Sequence, residues 1–139
     1  MSSEQNKAVI RRFIDEVFNS GNVIAIDELV ADNVVDHVII PGLAPGKEGF
    51  KQRAAFLLQA FPDLRITIED QLEEDGKVVG RYTVRGTHKG DFMGIPATGK
   101  SIQIGAMDVI RVKDGQMVEH WGQFDMLGMF QQLGLAPSP

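Results

Sequence analysis

Cysteine is absent from the chain, which rules out a disulfide framework, a thiolate nucleophile and a cysteine metal site. Surplus positive charge is missing as well. Fourteen basic residues stand against 19 acidic ones, a formal net charge of −5, whereas a nucleic-acid binder usually carries a basic face. No apolar run approaches the roughly eighteen residues of a membrane span. The opening Met1-Ser2-Ser3-Glu4-Gln5 is polar and lacks the basic-then-apolar layout of a secretory signal. The expectation is a cytoplasmic protein with neither nucleic-acid nor membrane partners. A repeat of roughly 20–50 residues is also missing, which excludes solenoids and propellers. Histidine is scarce, and the three present fall at neither helical nor hairpin metal spacing, so no metal site is expected. The Gly90 to Gly99 loop is glycine-rich but precedes no helix, so it lacks the context of a phosphate cradle.

What remains is ordinary globular material. The 139 residues are 43% hydrophobic and 24% charged, enough for one core, and residues 1–139 are expected to form a single domain. Ile10, Phe13, Ile14, Val17 and Phe18 recur at helical steps, with Ser3 as the expected N-cap and Gly21 as the stop. A short helix is expected over Val23 to Val30 and an extended segment over Val34 to Ile40. A longer helix follows from about Lys47 to Phe61, with Phe50, Ala54, Leu57, Leu58 and Phe61 inward. The second half changes period. Alternation from Leu64, turns at Asp75-Gly76 and Asp114-Gly115, and long alternating runs to His88, Lys113 and Phe124 predict an antiparallel meander. A last helix covers Met126 to Leu133, and capping it fully explains Asp125. Helices first and a meander after them predict an α+β fold: a cone-shaped curled antiparallel sheet packed on N-terminal helices, with an internal pocket.

The alternation also places polar groups. One face of the strand before the last turn reads Ile102, Ile104, Ala106, Asp108, Ile110, Val112, five apolar residues and one acid. A three-residue turn with Gly115 left-handed sets Asp108 opposite His120 and keeps that face apolar. A two-residue turn sets Asp108 opposite Trp121 and mixes the faces, so the first register is preferred. The neighbouring strand presents Val78, Gly80, Tyr82, Val84, Gly86 and His88. An Asp–His pair in an apolar cavity suits acid–base work. It also describes a satisfied core pair, and both readings stand at this stage. His88 fits either a cavity or a solvated loop edge. Asp36 and His37 are adjacent in an extended segment, so at most one of them enters the cavity. Met107, Val109, Met117 and Trp121 form a half-apolar opposite face that suits a homo-oligomer interface.

The stretch Gly86-Thr87-His88-Lys89-Gly90-Asp91-Phe92-Met93-Gly94-Ile95-Pro96-Ala97-Thr98-Gly99-Lys100 resembles a signature of the SnoaL-like polyketide cyclase and ester cyclase family. So does Asp114-Gly115-Gln116-Met117-Val118-Glu119-His120-Trp121 with the ending Asp125 to Gly134, and the early helix and Asp36-His37 fit as well. The resemblance implies the cone of the nuclear transport factor 2-like superfamily, usually oligomeric. It further implies a small-molecule pocket and ring closure by intramolecular aldol condensation without metal or cofactor. The family's acid/base aspartate falls at Gly122 and its partner histidine at Asp108, while His120 and His88 are retained. That departure argues against literal polyketide cyclase chemistry.

The expected function is therefore cofactor-free acid–base chemistry on a small apolar carbonyl compound, of cyclase, isomerase or hydrolase type. Asp108 and His120 are the candidate catalytic residues. His88, His37, Tyr82 and Phe124 are the candidate substrate-binding residues. The alternative is a non-catalytic binding protein for an apolar metabolite.

Overall fold

The computed structural model describes residues 2–38 and 40–136. Helix α1 spans Ser3–Phe13 and is capped one residue earlier than expected. The Ser2 hydroxyl accepts from the Gln5 N–H, and the Gln5 side chain accepts from the Ser2 N–H. The helix widens into a π turn over Ile14–Asn19. A 3-10 turn, Val23–Ala25, leads into the short α2, Ile26–Leu29. Strand β1, Val30–Asp36, starts inside the stretch expected to be helical. Then follow α3 (Gly46–Ala60), β2 (Arg65–Glu74), β3 (Lys77–Thr87), β4 (Ser101–Lys113), β5 (Gln116–Phe124) and α4 (Met126–Gln132). Asp125 caps α4 as expected, its Oδ1 accepting from the Gly128 N–H at 2.8 Å.

The sheet is curled and unclosed, in the order β1-β5-β4-β3-β2. Strands β2 to β5 form the expected antiparallel meander, and β1 joins the β5 edge in parallel. The apolar faces of β3 and β4 point inward as alternation requires. Val78, Tyr82, Ile102, Ile104, Ile110 and Val112 are all buried. Two apolar clusters lie on that side. One joins α1, α2 and Phe50 of α3 to Val78, Ile110 and Met117; the other gathers Phe61, Leu64, Phe92, Ile102, Ile104, Met129 and Leu133. Among the described residues no helix is long and apolar enough to cross a membrane.

The last hairpin corrects the expected register. Lys113 pairs with Gln116, so the turn has two residues, with Asp114 and Gly115 both at positive φ. Asp108 then lies opposite Gly122, and His120 opposite Ile110. The faces are not mixed, because a bulge intervenes. Arg111 pairs with Glu119 and Val112 with Met117, which leaves Val118 as the extra residue. The bulge corrects a second expectation. Met117 is fully buried in the core and does not belong to the outer face. Removing Val118 is expected to restore strict alternation without changing the pairs on either side, so that Met117 stays opposite Val112 and His120 stays inward opposite Ile110. The signature would be retention of the contact between the His120 and Phe50 rings in nuclear Overhauser spectra of the deletion variant, and its loss would show that Val118 is not the extra residue.

Candidate active site

Four strands and one helix bring five polar side chains into one buried chain of contacts. Asp36 ends β1 directly opposite His120 on β5, and its Oδ1 lies 3.0 Å from His120 Nδ1. His120 Nε2 lies 3.3 Å from Oδ2 of Asp108 on β4. The Tyr82 hydroxyl on β3 donates to Asp108 Oδ1 at 2.7 Å. At the other end Arg53 of α3 sets Nη1 3.0 Å from Asp36 Oδ2. The order is Arg53, Asp36, His120, Asp108, Tyr82. The expected Asp108–His120 contact therefore forms, but diagonally across the ladder, within reach of long side chains. Asp108 and His120 keep 15% and 11% of their side-chain exposure, so the cluster is not sealed from solvent.

Two glycines make room for this geometry. A Cβ on Gly80 would lie 2.0 Å from the Tyr82 hydroxyl oxygen, so the phenol lies down over its own strand at that position. Gly80 is the ladder partner of Asp108, which is why the phenol reaches the carboxylate. A Cβ on Gly122 would lie 3.1–3.2 Å from the His120 ring. The imidazole occupies space that a larger residue at position 122 would contest.

A carboxylate only accepts hydrogen bonds, so two carboxylates on opposite ring nitrogens call for a hydrogen on each. His120 is thus held as the imidazolium. Burial works against the charge, but the hydrogen bonds and charges of Asp108 and Asp36 outweigh it and raise the proton affinity above the ordinary range. Asp36 is moved the other way. Burial alone would raise its carboxyl, yet the His120 hydrogen bond, the Arg53 charge and the Val38 N–H together hold it below the usual range. Burial, with the charge and hydrogen bond of Asp108, pushes the Tyr82 phenol far up, so it stays a donor.

These directions set a stability window. A raised histidine contributes fully below its ordinary value of 6.5, and the contribution is lost as pH rises through the folded value. A lowered carboxyl contributes above 3.8 and is lost as pH falls through its folded value. Urea midpoints measured against pH are expected to fall on both sides of that interval. In His120→Gln the alkaline limb is expected to flatten.

The remaining expected site residues divide. Tyr82 joins the cluster. Phe124 lies on the same face as Gly122, opposite Ala106, at the half-exposed end of β5. His37 does not enter the site. It takes the outer face, stacked on Trp121 with ring centroids 4.8 Å apart, and its Nε2 meets Glu119 Oε2 at 2.7 Å. The parallel pairing of β1 decided between the two neighbours and turned Asp36 inward. His88 is fully buried but lies just past the end of β3, against the second apolar cluster and eight residues from Gly80. It lies between Phe61 and Phe92, and its Nδ1 accepts the Thr98 N–H at 3.2 Å. That bond puts the ring proton on Nε2, which has no partner among the described residues. Asp36 as the inward residue and Arg53 as its partner went unrecognised in the sequence. Alternation with buried Val34 was the available sign for Asp36. Arg53 had no comparable sign, because the residue it meets is 17 positions away in the chain.

Two hollows of about 380 and 390 Å³ lie elsewhere. One is lined by Asp63, Arg85, Thr87, Ser101, Gln103 and neighbours, the other by Ser3, Asn6, Glu73, Asp75, Asp114 and neighbours. Neither includes a residue of the cluster. Among the described residues no group of histidine and acidic side chains could hold a metal ion.

An open curled sheet wrapped on helices is the fold of the nuclear transport factor 2-like class. Within that class the chain belongs to the SnoaL-like polyketide cyclase family, whose model matches residues 8–133. It is 29% identical over 133 residues to the aklanonic acid methyl ester cyclase DauD of Streptomyces sp. (strain C5), covering 91% of this chain and 80% of that one. It is 27% identical over 119 residues to the nogalonic acid methyl ester cyclase of Streptomyces nogalater, covering 84% and 89%. Among solved structures it superimposes on TsrD from Streptomyces laurentii with a TM-score of 0.88 at 26% identity, covering 98% and 99%. Wild-type IdmH from Streptomyces antibioticus gives a TM-score of 0.81 at 34% identity, covering 94% and 99%.

Proposed function

We propose that the protein is a cofactor-free acid–base enzyme that enolises an apolar carbonyl compound, with Asp108 as the base and His120 as the cationic partner. The observation that carries this is a carboxylate bonded on one oxygen to a phenol and on the other to an imidazolium, in a cluster largely removed from water. Asp108 takes the proton from the carbon beside the carbonyl. The electron pair moves onto the carbonyl oxygen. His120 Nε2–H, whose bond to Asp108 is the longest in the chain, turns to that developing oxyanion. In a ring closure the enolate carbon attacks a second carbonyl within the molecule, and the new alkoxide takes its proton back from Asp108.

The departure at Gly122 fits this reading. The resemblance puts the family's acid at position 122, and the residue directly across the ladder from it is Asp108. An acid moved across one pair of strands still faces the same space, with His120 beside it. The related ester cyclases make a methyl ester with enolisable carbonyl groups the first substrate class to test. Incubation with such esters in heavy water is expected to exchange the acidic carbon-bound hydrogens faster than buffer does, read by proton NMR. Absence of both exchange and cyclised product across that class overturns the reading.

A second reading keeps the same place as a binding site without turnover. It is favoured by one observation, that both Asp108 oxygens are already engaged by the protein's own side chains. Tight binding without hydrogen exchange selects it.

The outer face is proposed to pair with a second copy in the cytoplasm. Met107 is 52% exposed there, beside the partly buried Val109 and Trp121. Trp121→Arg is expected to shift sedimentation to the monomer, and an unchanged sedimentation coefficient removes this face from consideration.

A further inference from the structure

We propose that Asp36 and Arg53 are positioning residues that fix the proton on His120 Nδ1, so that only Nε2 exchanges protons with Asp108 or a substrate oxygen. The use made of Nε2 rests on the acid–base reading above. The fixing of Nδ1 stands on geometry.

The parallel strand β1 sets Asp36 directly across from His120, with Oδ1 3.0 Å from Nδ1. The carboxylate is not free to turn away. Its Oδ2 is paired with Arg53 Nη1 at 3.0 Å, and its Oδ1 also accepts the Val38 N–H at 3.0 Å. Arg53 is held in its turn, its guanidinium 4.9 Å from the centre of the Phe50 ring. The same ring meets the His120 imidazole edge-on at 5.5 Å. Phe50 and Arg53 are three residues apart on α3, so one helix face supplies both supports.

The groups facing the imidazole are then Asp36 from β1, Phe50 and Arg53 from α3, and Asp108 from β4 with Tyr82 of β3 behind it. Their charges balance: Arg53 and His120 positive, Asp36 and Asp108 negative. When Nε2 gives up its proton, the ring must remain in the Nδ1–H form, because an ionised Asp36 accepts there and has nothing to donate. Nε2 is left with its lone pair toward Asp108, ready to take the proton back. Without the charge of Asp36 the imidazolium is free to lose either proton, and one of the two neutral tautomers presents the wrong nitrogen to the chemistry.

The test is two-bond ¹H–¹⁵N spectroscopy of ¹⁵N-labelled protein across pH, with the His120 signals identified by their loss in His120→Gln. In the wild type Nδ1 is expected to stay protonated throughout while Nε2 titrates. In Asp36→Asn, which keeps the shape and removes the charge, the His120 midpoint is expected to move to lower pH and the neutral ring to show both tautomers. Arg53→Gln should do the same to a smaller extent, and Arg53→Lys should restore the wild-type pattern. Should Asp36→Asn fail to fold, Arg53→Gln and Arg53→Lys make the same comparison. Hydrogen exchange on the ester is expected to fall on the order of 10²-fold in kcat for Asp36→Asn, with KM little changed. An unchanged midpoint and an unchanged single tautomer in folded variants overturn the proposal. Fixed Nδ1 protonation without any hydrogen exchange in the wild type upholds the positioning role and overturns the acid–base reading, so the two are separable.

Discussion

Asp108→Asn is expected to lower the rate of enolisation by about 10²–10⁴-fold, the usual contribution of a positioned proton-transfer group. The substitution keeps volume and shape and still offers Tyr82 an oxygen to donate to. It removes the lone proton acceptor on the β4 face that both Tyr82 and His120 address. It also takes one of two carboxylates from His120, so the imidazolium is held less firmly. The measurement is kcat for hydrogen exchange together with substrate affinity, with far-UV circular dichroism as the check on folding. A rate within about threefold of wild type in a folded protein would sink the assignment of Asp108 as base. A change in affinity alone selects the binding reading.

The second large effect is expected at Gly80. In a strand interior, exchanging glycine for alanine ordinarily stabilises by about 0.5–1 kcal/mol through lost backbone freedom. At Gly80 the new methyl group would lie 2.0 Å from the Tyr82 oxygen and 2.3 Å from its Cζ, so the phenol must leave. Overpacking of a buried site costs about 1–3 kcal/mol and outweighs the backbone gain. Displacing the phenol also removes a hydrogen bond to a carboxylate, about 1.5–3 kcal/mol where it is fully formed. Gly80→Ala is therefore expected to lower the thermal midpoint and to cut kcat by freeing one Asp108 oxygen. Gly105→Ala is the internal control, since a Cβ there meets nothing within 4 Å. It should be neutral or slightly stabilising. Equal effects at the two glycines would show that strand flexibility, and not the seat of Tyr82, is what Gly80 provides.

How much of this was legible beforehand differs from residue to residue. Asp108 stood out because it interrupts Ile102, Ile104, Ala106, Ile110 and Val112 on a strand face, and Tyr82 because it shares the face of Val78. Those are local statements, and a period of two carries them. The Asp108–His120 contact was legible as a pair but not as a register. The expected three-residue turn and the observed two-residue turn with a bulge at Val118 both put His120 inward, so alternation could not choose between them. They differ at Met117, which the bulge carries into the core. His88 shows the opposite failure. It is buried on the side expected, but it follows an eleven-residue strand whose length spans two separate clusters, and a shared face is not a shared site.

Composition and periodicity by themselves determined the order of elements, the meander, the inward faces of β3 and β4 and the acid on one of them. Each follows from neighbours along the chain and from the need to bury apolar side chains. Tertiary structure alone decided that β1 adds in parallel, that Asp36 and not His37 turns inward, and that Arg53 closes the network from α3. Those outcomes depend on strand pairing and on contacts between distant residues, with the Asp36 ion pairs inside and the half-exposed His37–Glu119 pair outside. No local period encodes that arrangement.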